Sequence, residues 1–515
     1  MTKNTYSFFL CLYLSFITIY SNAQNTFNKT YTTDSIGECG FNFIAENFGM
    51  STVEVEEGYI GLSIFTSKAF CGWSAYGIWK MDYEGNVLWE KKYGEEGYWY
   101  NALVTGKLVA TQDGNFVFAG WVEQTDEINK GVLLKFDAQG DTLWRKTYGG
   151  LYHDANLSAV TEAENGDLVT VGTTRELGSG NPADENPNTW LMRTNAEGEV
   201  LWERGLNGNK VETGKYISMD YDGGYTIGGW RGNAGIEPFN GYYFKTDAMG
   251  QIKWVRSVIN TEVDNCFANL IPATGGGYYA SYCGDTMVNN NLIHSIRKLN
   301  DSNLLKDWQY HFFDGKSAAY VISFEELENE NIIIAGTWLP DIYDSNAITH
   351  GYIAQLSPQG ELVWERVFKH HELFSRLEDV SPTSDGGFIS IGYSWNPNRQ
   401  KQDMWLLKLD ENGCLSNEVC DSLFTDIEVL DPAELSPPTL FPNPTKSHLQ
   451  IQIPTHLTSK PLQIQLTNIE GRAVLKEWIE DGTELNIADL AAGIYIATWL
   501  QDGQALKREK VVVLE

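Results

Sequence analysis

The sequence predicts an all-β protein built from a repeated unit of four strands, and two observations support this. Aromatic residues make up 13% of the 515 residues and glycine occurs 49 times, a composition typical of turn-dense β proteins. A turn followed by a hydrophobic residue and tryptophan also recurs, ending at Trp89, Trp144, Trp202, Trp254, a degenerate Trp308, and Trp364. Spacings of 55, 58, 52, 54 and 56 residues between these tryptophans indicate repeated units packed side by side.

Each repeat is predicted to contain four antiparallel strands. In the second copy these are Asn101–Gln112, Phe116–Glu123, Gly131–Asp137 and Thr142–Tyr148. Asp-Gly and Gly-Asp pairs lie in the turns between them, and such pairs are strong hairpin signals. We expect the recurring tryptophan of the fourth strand to pack between neighbouring sheets.

The number of copies differs between the strands of the repeat. The turn after the first strand and the third strand each occur seven times, but no fourth strand follows Asp410. At the other end of the chain, Phe27–Tyr31 matches Trp144–Tyr148 with phenylalanine in place of tryptophan. The sequence therefore predicts a seven-bladed β-propeller over residues 24–413, closed by the N-terminal strand, which leaves no exposed sheet edge at the join.

The N-terminus predicts export. Phe8–Tyr20 is an apolar run too short to span a bilayer, and small residues precede a cleavage point before Gln24. Residues 1–23 are thus interpreted as a signal peptide. No later segment is long and apolar enough for a transmembrane helix.

Six cysteines remain after the signal peptide, an even number that favours disulfides in an exported protein. Cys39 and Cys71, and likewise Cys266 and Cys283, are centred on the turn between the first two strands of one blade. Cys414 and Cys420 bracket a short loop after the last blade. The predicted bridges are Cys39–Cys71, Cys266–Cys283 and Cys414–Cys420.

The C-terminal part has a different composition. Residues 414–440 are acidic and irregular and end in Ser-Pro-Pro, which predicts a linker. Residues 441–515 contain short alternating strands and predict a small β-sandwich. Their motifs are Phe441-Pro442-Asn443-Pro444, Asn468-Ile469-Glu470-Gly471-Arg472, Leu490-Ala491-Ala492-Gly493-Ile494-Tyr495, and a final strand from Lys507 to Val513.

In the order of these motifs, the tail resembles the C-terminal sorting domain (type A) of the type IX secretion system of Bacteroidetes. The resemblance implies that residues 441–515 bind the secretion machinery and direct the protein across the outer membrane. It further implies that the tail is removed and that the protein is released or attached to surface lipopolysaccharide.

Charge excludes one class of partner. The net charge of −31 and pI of about 4.6 repel phosphate backbones, so we expect no nucleic-acid partner and interpret the charge as a source of solubility. We expect a monomer. The repeat also resembles the tryptophan-docking repeats of quinoprotein propellers, but its turn is one residue shorter and seven copies replace eight, so no cofactor is expected.

A second group of tryptophans predicts a ligand-binding face. Four end second strands and one lies between blades: Trp121, Trp230, Trp338, Trp395 and Trp99. In a propeller these positions share a face with several long loops, where binding sites are commonly built. Exposed tryptophan can stack on sugar rings or anchor a protein. The same residues would also suit packing at the channel mouth or beneath the loops.

No linear catalytic or metal motif occurs, and no metal site is expected. The sequence therefore favours a secreted or surface-bound binding module for a glycan or protein over an enzyme, and the enzyme question stays open. The alternative is a secreted hydrolase or lyase acting on polysaccharide or protein. Its acid and base would come from Asp154, Glu212, Asp264, His370 and His371.

Overall fold

A computed structural model describes residues 25–32, 45–67, 74–95, 97–101, 107–124, 128–149, 153–175, 177, 187–206, 211–233, 236–257, 268–288, 291–301, 304–312, 314–344, 346–370, 374–398, 401–415, 424–426, 439–441, 445–453, 462–468, 472–479, 483–488, 490–501 and 504–514. All regular structure in these residues is β-strand, so the all-β prediction is confirmed. Among them, no helix is long and apolar enough to cross a membrane.

The chain forms two compact units, Met1–Ile427 and Glu428–Glu515. The first strand of the first unit is β1 (Phe27–Tyr31). Sheet 1 contains β2 (Ala45–Val55), β3 (Gly58–Ser67), β4 (Ser74–Met81) and β5 (Val87–Tyr93). Sheet 2 contains β6 (Tyr98–Asn101), β7 (Val109–Ala110), β8 (Phe116–Gln124), β9 (Lys130–Phe136) and β10 (Thr142–Tyr148). Sheet 3 contains β11 (Ala155–Glu162), β12 (Leu168–Thr174), β13 (Asn188–Thr194) and β14 (Val200–Leu206).

The remaining sheets of the first unit follow the same order. Sheet 4 contains β15 (Val211–Met219), β16 (Tyr225–Asn233), β17 (Ile236–Thr246) and β18 (Ile252–Ser257). Sheet 5 contains β19 (Leu270–Pro272), β20 (Tyr278–Val288), β21 (Asn291–Leu299) and β22 (Lys306–His311). Sheet 6 contains β23 (Ala318–Glu326), β24 (Ile332–Leu339), β25 (His350–Leu356), β26 (Leu362–Lys369) and β30 (Phe424–Asp426). Sheet 7 contains β27 (Ser375–Pro382), β28 (Phe388–Asn396) and β29 (Lys401–Leu409), together with β1.

Sheet 7 differs from the others in the origin of its fourth strand. β1 pairs antiparallel with β29, with Phe27 opposite Lys408 and Tyr31 opposite Met404. In addition, β2 of sheet 1 packs against β27, β28 and β29 of sheet 7. The two ends of the series of sheets described between residues 25 and 427 therefore meet.

Hydrophobic residues between neighbouring sheets form the core of the first unit. Sheets 2 and 3, for example, bury Val117, Leu133, Leu157 and Trp190 in one cluster. Both faces of the central strands are covered, which explains why every residue of β25 is buried. Burial on both faces favours the continuous apolar runs found in the third strands.

Contacts that we call outer clasps join consecutive sheets. In each, the tryptophan of a fourth strand covers a glycine in the turn that follows the third strand of the next sheet. A Cβ atom added to these glycines would lie 2.5–3.0 Å from the tryptophan ring, in the pairs Trp89–Gly140, Trp144–Gly198, Trp202–Gly250, Trp308–Gly360 and Trp364–Gly413. The five glycines also have positive φ, so glycine serves both the turn and the close contact.

β1 makes the same outer clasp with sheet 1. The Phe27 ring lies where a Cβ atom on Gly85 would be 2.8 Å away. Lys29 Nζ donates to the Glu84 carbonyl at 2.7 Å, and the Tyr31 hydroxyl donates to the Gly85 carbonyl at 2.7 Å. In β10, the Tyr148 hydroxyl donates to the Gly198 carbonyl at 2.9 Å in the same way.

The predicted linker 414–440 is not irregular throughout. β30 pairs in parallel with β26, with Phe424 opposite Val367 and Asp426 opposite Lys369. The first compact unit accordingly extends to Ile427, past the predicted boundary at residue 413. The outer edge of sheet 6 offers unpaired backbone groups, and the chain after sheet 7 pairs with them.

The second unit contains two sheets. One holds β31 (Thr439–Phe441), β32 (His448–Gln452) and β35 (Glu484–Asn486), and the other holds β33 (Leu462–Asn468), β34 (Ala473–Ile479), β36 (Gly493–Gln501) and β37 (Gln504–Val513). Both contribute to one hydrophobic cluster, which includes Leu449, Ile464, Trp499 and Val511.

Candidate functional site

First strands from all seven sheets of the first unit surround a cavity of about 550 Å³, which we call the central cavity. Each sheet, or the segment beside β7 in sheet 2, contributes lining residues, among them Thr52, Lys107, Val160, Ile217, Ile271, Ser323 and Asp379. Most of the lining lies in the second half of these strands, and Tyr221 and Thr274 come from the turns that follow. The cavity thus lies toward the tight-turn side, whereas the sequence pointed to the side of the long loops.

A β-bulge recurs in the first strands. The pairing register shifts at Met50, Ser158, Lys215, Ile322 and Glu378. A bulge adds an unpaired residue and turns side chains to a new direction. The backbone irregularity is therefore repeated while the side chain placed on it changes from sheet to sheet.

Asp379 connects side chains from several sheets. Its Oδ2 accepts a hydrogen bond from Ser51 Oγ at 2.7 Å, and its Oδ1 accepts one from Ser323 Oγ at 2.8 Å. Lys107 Nζ lies 3.4 Å from Asp379 Oδ1. Sheets 1, 2, 6 and 7 thus meet at one carboxylate that is only 4% exposed.

Lys107 brings a positive charge into the cavity. Its ammonium also lies 3.8 Å from Glu325 Oε2, and its side chain is 42% exposed. Burial alone would lower the pKa of Lys107, but the carboxylates of Asp379 and Glu325 outweigh it and raise that pKa. Burial raises the pKa of Glu325.

A second charged group lies beside the bulge of β27. Arg376 Nε is 2.5 Å from Glu378 Oε1, and the Glu378 side chain is fully buried. Burial raises the pKa of Glu378 to about 7, although Arg376 opposes this shift. Burial lowers the pKa of His294 to about 4, and Arg376 adds to this effect. Burial thus disfavours the charged forms of both Glu378 and His294 inside the protein.

The rim of the cavity carries an exposed aromatic ring. Tyr221 is 69% exposed, and its hydroxyl lies 3.1 Å from Thr274 Oγ1. Thr274 in turn donates from its backbone N–H and its hydroxyl to Glu326 Oε2, at 2.8 and 3.0 Å. The turns of sheets 4 and 5 and the end of β23 are joined in this way.

The five predicted ligand-binding tryptophans do not share one environment. Trp99 is 38% exposed, whereas Trp338 is 8% exposed and stacks on His350. Trp121 and Trp230 lie opposite Gly131 and Gly241, but the equivalent glycine of sheet 6, Gly351, is opposite Thr337. Because side chains alternate along a strand, Trp338 points to the other face of its sheet.

Trp395, the fifth member of that group, is partly buried, and its backbone N–H donates to the Phe374 carbonyl at 2.8 Å. The predicted acid and base residues have separate partners. His370 is 4% exposed and its ring nitrogens lie 3.0 Å from Asn28 Oδ1 and Thr30 Oγ1 of β1. Asp154 Oδ1 accepts the Asn129 N–H at 3.0 Å.

Glu212 is 6% exposed and lies 3.9 Å from Arg231. Asp264 and His371 lie outside the described residues. The described candidates are thus placed in sheets 3, 4 and 6, each with neighbours that give it a structural role. Within the described part of the chain, no group of three or more His, Cys, Asp or Glu residues could hold a metal ion.

The predicted disulfides fall largely outside the described residues, which exclude Cys39, Cys71, Cys266 and Cys420. Cys283 lies in β20, where its side chain is not described. Cys414 is disulfide-bonded and 4% exposed, in a turn where its N–H donates to Asp410 Oδ1 at 2.8 Å. The three pairings stay predictions.

Sequence reasoning missed the residues of the central cavity. Lys107, Asp379 and Tyr221 belong to no motif, and the first two are far apart in the sequence and meet only because sheets 2 and 7 both line the cavity. One signal was available, because Glu378 and Asp379 are adjacent carboxyl groups within a strand that is otherwise mostly buried. A charge in a buried strand requires a partner.

The tail motifs form defined turns in the second unit. Arg472 N donates to Asn468 Oδ1 at 2.9 Å, and the Tyr495 hydroxyl donates to the Ala491 carbonyl at 2.7 Å. Residues 439–514 match the family model of the secretion system C-terminal sorting domain. The chain carries a type IX secretion sorting domain. The protein is therefore exported by that system and is secreted or attached to the outer cell surface.

The solved structures that match the chain are distant in both sequence and structure. They include the type IX surface component PorZ of Porphyromonas gingivalis, with 10% identity and a TM-score of 0.32 over 89% of this chain and 69% of that one. A Bacteroides caccae protein of unknown function has 14% identity and a TM-score of 0.35 over 58% and 91%. The α-L-arabinofuranosidase Arb93A of Fusarium graminearum has 9% identity and a TM-score of 0.39 over 60% and 96%. No curated protein matches the chain.

Proposed function

We propose that the protein is a secreted or cell-surface binding module whose first unit is a seven-bladed β-propeller closed by β1. The outer clasps support this architecture, because Phe27 of β1 repeats on Gly85 the contact that Trp144 makes with Gly198. The contacts of β2 with sheet 7 support closure of the ring. In this proposal residues 441–515 form a β-sandwich that addresses the protein to the secretion machinery.

The central cavity is the main observation that supports ligand binding. Its volume of about 550 Å³ lies within the range of about 300–1,000 Å³ typical of small-molecule sites. It is lined by strands held between neighbouring sheets, so its walls are rigid, and rigid walls reduce the entropy lost on binding. Its lining combines aliphatic, hydroxyl and charged side chains, which suits recognition of a polar ligand.

Binding is favoured over hydrolysis by the partners of the charged residues. Glu378 and Asp379 are adjacent carboxyl groups with different surroundings, a pattern found in hydrolytic sites. Their side chains are, however, at most 4% exposed and are bonded to Arg376, Ser51 and Ser323. A substrate bond would have to displace these neighbours to reach either carboxyl group.

The proposed ligand site, the central cavity, differs from the long-loop face that the sequence predicted. The long-loop face, with Trp99, remains a second candidate surface for a glycan or protein, because that ring is 38% exposed. The central cavity lies toward the opposite side. Variants on the two sides therefore distinguish the two positions.

The test is an array of purified glycans and extracellular proteins probed with the full chain, with release of sugar or peptide measured in parallel. We expect saturable binding without turnover, weakened by Lys107→Met and unchanged by Trp99→Ala. Weakening by Trp99→Ala alone would move the site to the long-loop face. Turnover of a bound polysaccharide or protein, or the lack of any bound ligand, would contradict the proposed function.

A further inference from the structure

The ring of Tyr221 forms a fixed platform at the rim of the central cavity. It lies in the turn between β15 and β16 with 69% of its surface exposed. Its hydroxyl lies 3.1 Å from Thr274 Oγ1, and Thr274 is held by two hydrogen bonds to Glu326. One end of the ring is thus anchored while its faces stay open. A tyrosine in this state offers a large contact area and loses little conformational entropy on binding.

The groups that line the cavity together with Tyr221 differ from those of a purely apolar pocket. Ser218, Thr161 and Ser381 place hydroxyl-bearing side chains in the lining. Glu325 and Lys107 add a carboxylate acceptor and an ammonium donor, 3.8 Å apart. Hydroxyls accept and donate, carboxylates accept, and ammonium groups donate, so the lining can satisfy a ligand that has many hydroxyl groups.

Charge limits the class of ligand further. Glu325, Glu326 and Asp379 line the cavity, and Lys107 is the basic residue that faces two of them. The chain as a whole carries a net charge of −31. An anionic ligand would therefore be repelled by the cavity and by the protein.

We propose that the central cavity binds the end of an uncharged oligosaccharide, with one sugar ring stacked on Tyr221 and its hydroxyl groups bonded by Glu325, Glu326 and Lys107. This inference rests on the proposed binding function and specifies its ligand class and its side of the protein. Apolar faces of sugar rings pack on aromatic rings, while the ring hydroxyls require polar partners at the edges. The cavity presents these two kinds of group together at its rim.

A matched pair of exposed tyrosines makes the test specific. Tyr343 is 56% exposed and lies in the connection between β24 and β25, outside the cavity lining. Titration calorimetry of the full chain would use uncharged gluco-, manno- and xylo-oligosaccharides, with oligogalacturonates as acidic probes. We expect Tyr221→Ala to weaken binding of the best uncharged probe about tenfold, Tyr221→Phe to change it about twofold, and Tyr343→Ala to leave it unchanged.

The outcomes separate this inference from the proposed function. Equal binding by the wild type and Tyr221→Ala, or preference for the oligogalacturonates, would overturn the inference. Binding of peptides or proteins without any saccharide would also overturn it but would leave the proposed binding function intact. Lack of any ligand, or cleavage of the oligosaccharides, would contradict both.

Discussion

In the outer clasps the same residue types meet the next sheet in one repeat after another, whereas the residue at the bulge of the first strand differs in each of the five sheets where the bulge is described. Trp144 and Phe27 cover a glycine of the following turn in the same manner. At the bulge, by contrast, Met50, Lys215 and Glu378 occupy equivalent positions. The clasps lie on the fourth strands and the bulges on the first strands of the same sheets, so the repeated arrangement of the sheets does not by itself explain the contrast.

The difference separates contacts that serve the same structural role in every sheet from residues that have a different role in each sheet. Joining neighbouring sheets requires the same contact at every junction, so the clasp is repeated. Recognition of an asymmetric ligand requires different groups at different points around the ring. We therefore assign ligand binding to the cavity, where the residues differ from sheet to sheet. We assign stability to the clasps, where the residue types repeat.

The largest expected effect comes from breaking the clasp of β1. Phe27 is 9% exposed, so Phe27→Ala removes a buried aromatic side chain at the junction of the first and last sheets. We expect the free energy of unfolding of the first unit to fall by about 4 kcal/mol, measured by denaturant titration. Leu143→Ala is the control, because Leu143 is 49% exposed beside a clasp tryptophan and should change stability by less than about 0.5 kcal/mol. Similar effects of both variants would contradict the clasp.

Ion pairs in the two regions should differ in strength. Asp379→Asn removes the nearer of the two carboxylates that face Lys107 and disturbs the buried hydrogen bonds from Ser51 and Ser323, so it should cost about 2 to 3 kcal/mol of unfolding free energy. Asp141 pairs with Lys91 at 2.5 Å in a clasp but is 75% exposed, so Asp141→Asn should cost less than about 1 kcal/mol. A double variant with Lys107→Met should recover part of the loss at Asp379. Equal costs at both sites would contradict the assignment of a buried hub to Asp379.

The free energy of unfolding should depend on pH between 5 and 8 because of a carboxyl group at the cavity, and not because of groups in the clasps. Burial raises the pKa of Glu378 to about 7, above its value in the unfolded chain. The protonated form is therefore favoured by folding, and this contribution to stability is present at low pH and lost as the pH rises through 7. Between pH 5 and pH 8 the wild type should lose about 2 kcal/mol relative to Glu378→Gln, measured by denaturant titration at each pH. A constant difference across this range would refute the assigned pKa shift.

The smallest effect tests the glycine contacts of the clasp. Gly140 and Gly114 both have positive φ, but a Cβ atom would lie 2.6 Å from Trp89 at Gly140 and would have no atom within 4 Å at Gly114. Both alanine variants carry the backbone strain of about 1 kcal/mol. Gly140→Ala should therefore be about 1 kcal/mol less stable than Gly114→Ala in thermal unfolding, and equal melting temperatures would argue against tight clasp packing.

Much of the strand order could be predicted from the sequence, because turns and alternation are local signals. β10 spans Thr142–Tyr148, as predicted, and Phe27 lies where a clasp tryptophan is expected. In the tail, β37 spans Gln504–Val513 and so contains the predicted final strand from Lys507 to Val513. The first strand of the second copy was less accurate, since β6 ends at Asn101 and β7 begins at Val109.

The cavity could not be predicted because it depends on bulges and on contacts across the ring. Strict alternation places Glu378 and Asp379 on opposite faces, but the bulge in β27 shifts the register between Leu377 and Asp379. A register difference of one residue also misled the interpretation of Trp338, which occupies the face opposite to that of Trp121. Neither shift leaves a clear local signal in the sequence.

The central claim is that the ligand binds at the first strands around the cavity and not at the long loops. Amide hydrogen exchange of the full chain, with and without a saturating concentration of the tightest-binding uncharged oligosaccharide, tests this directly. The account predicts that protection increases in Val211–Met219 and its following turn, and in Ala318–Glu326. Protection that increases instead around Trp99 and the connection after β24, with no change in these first strands, would contradict it.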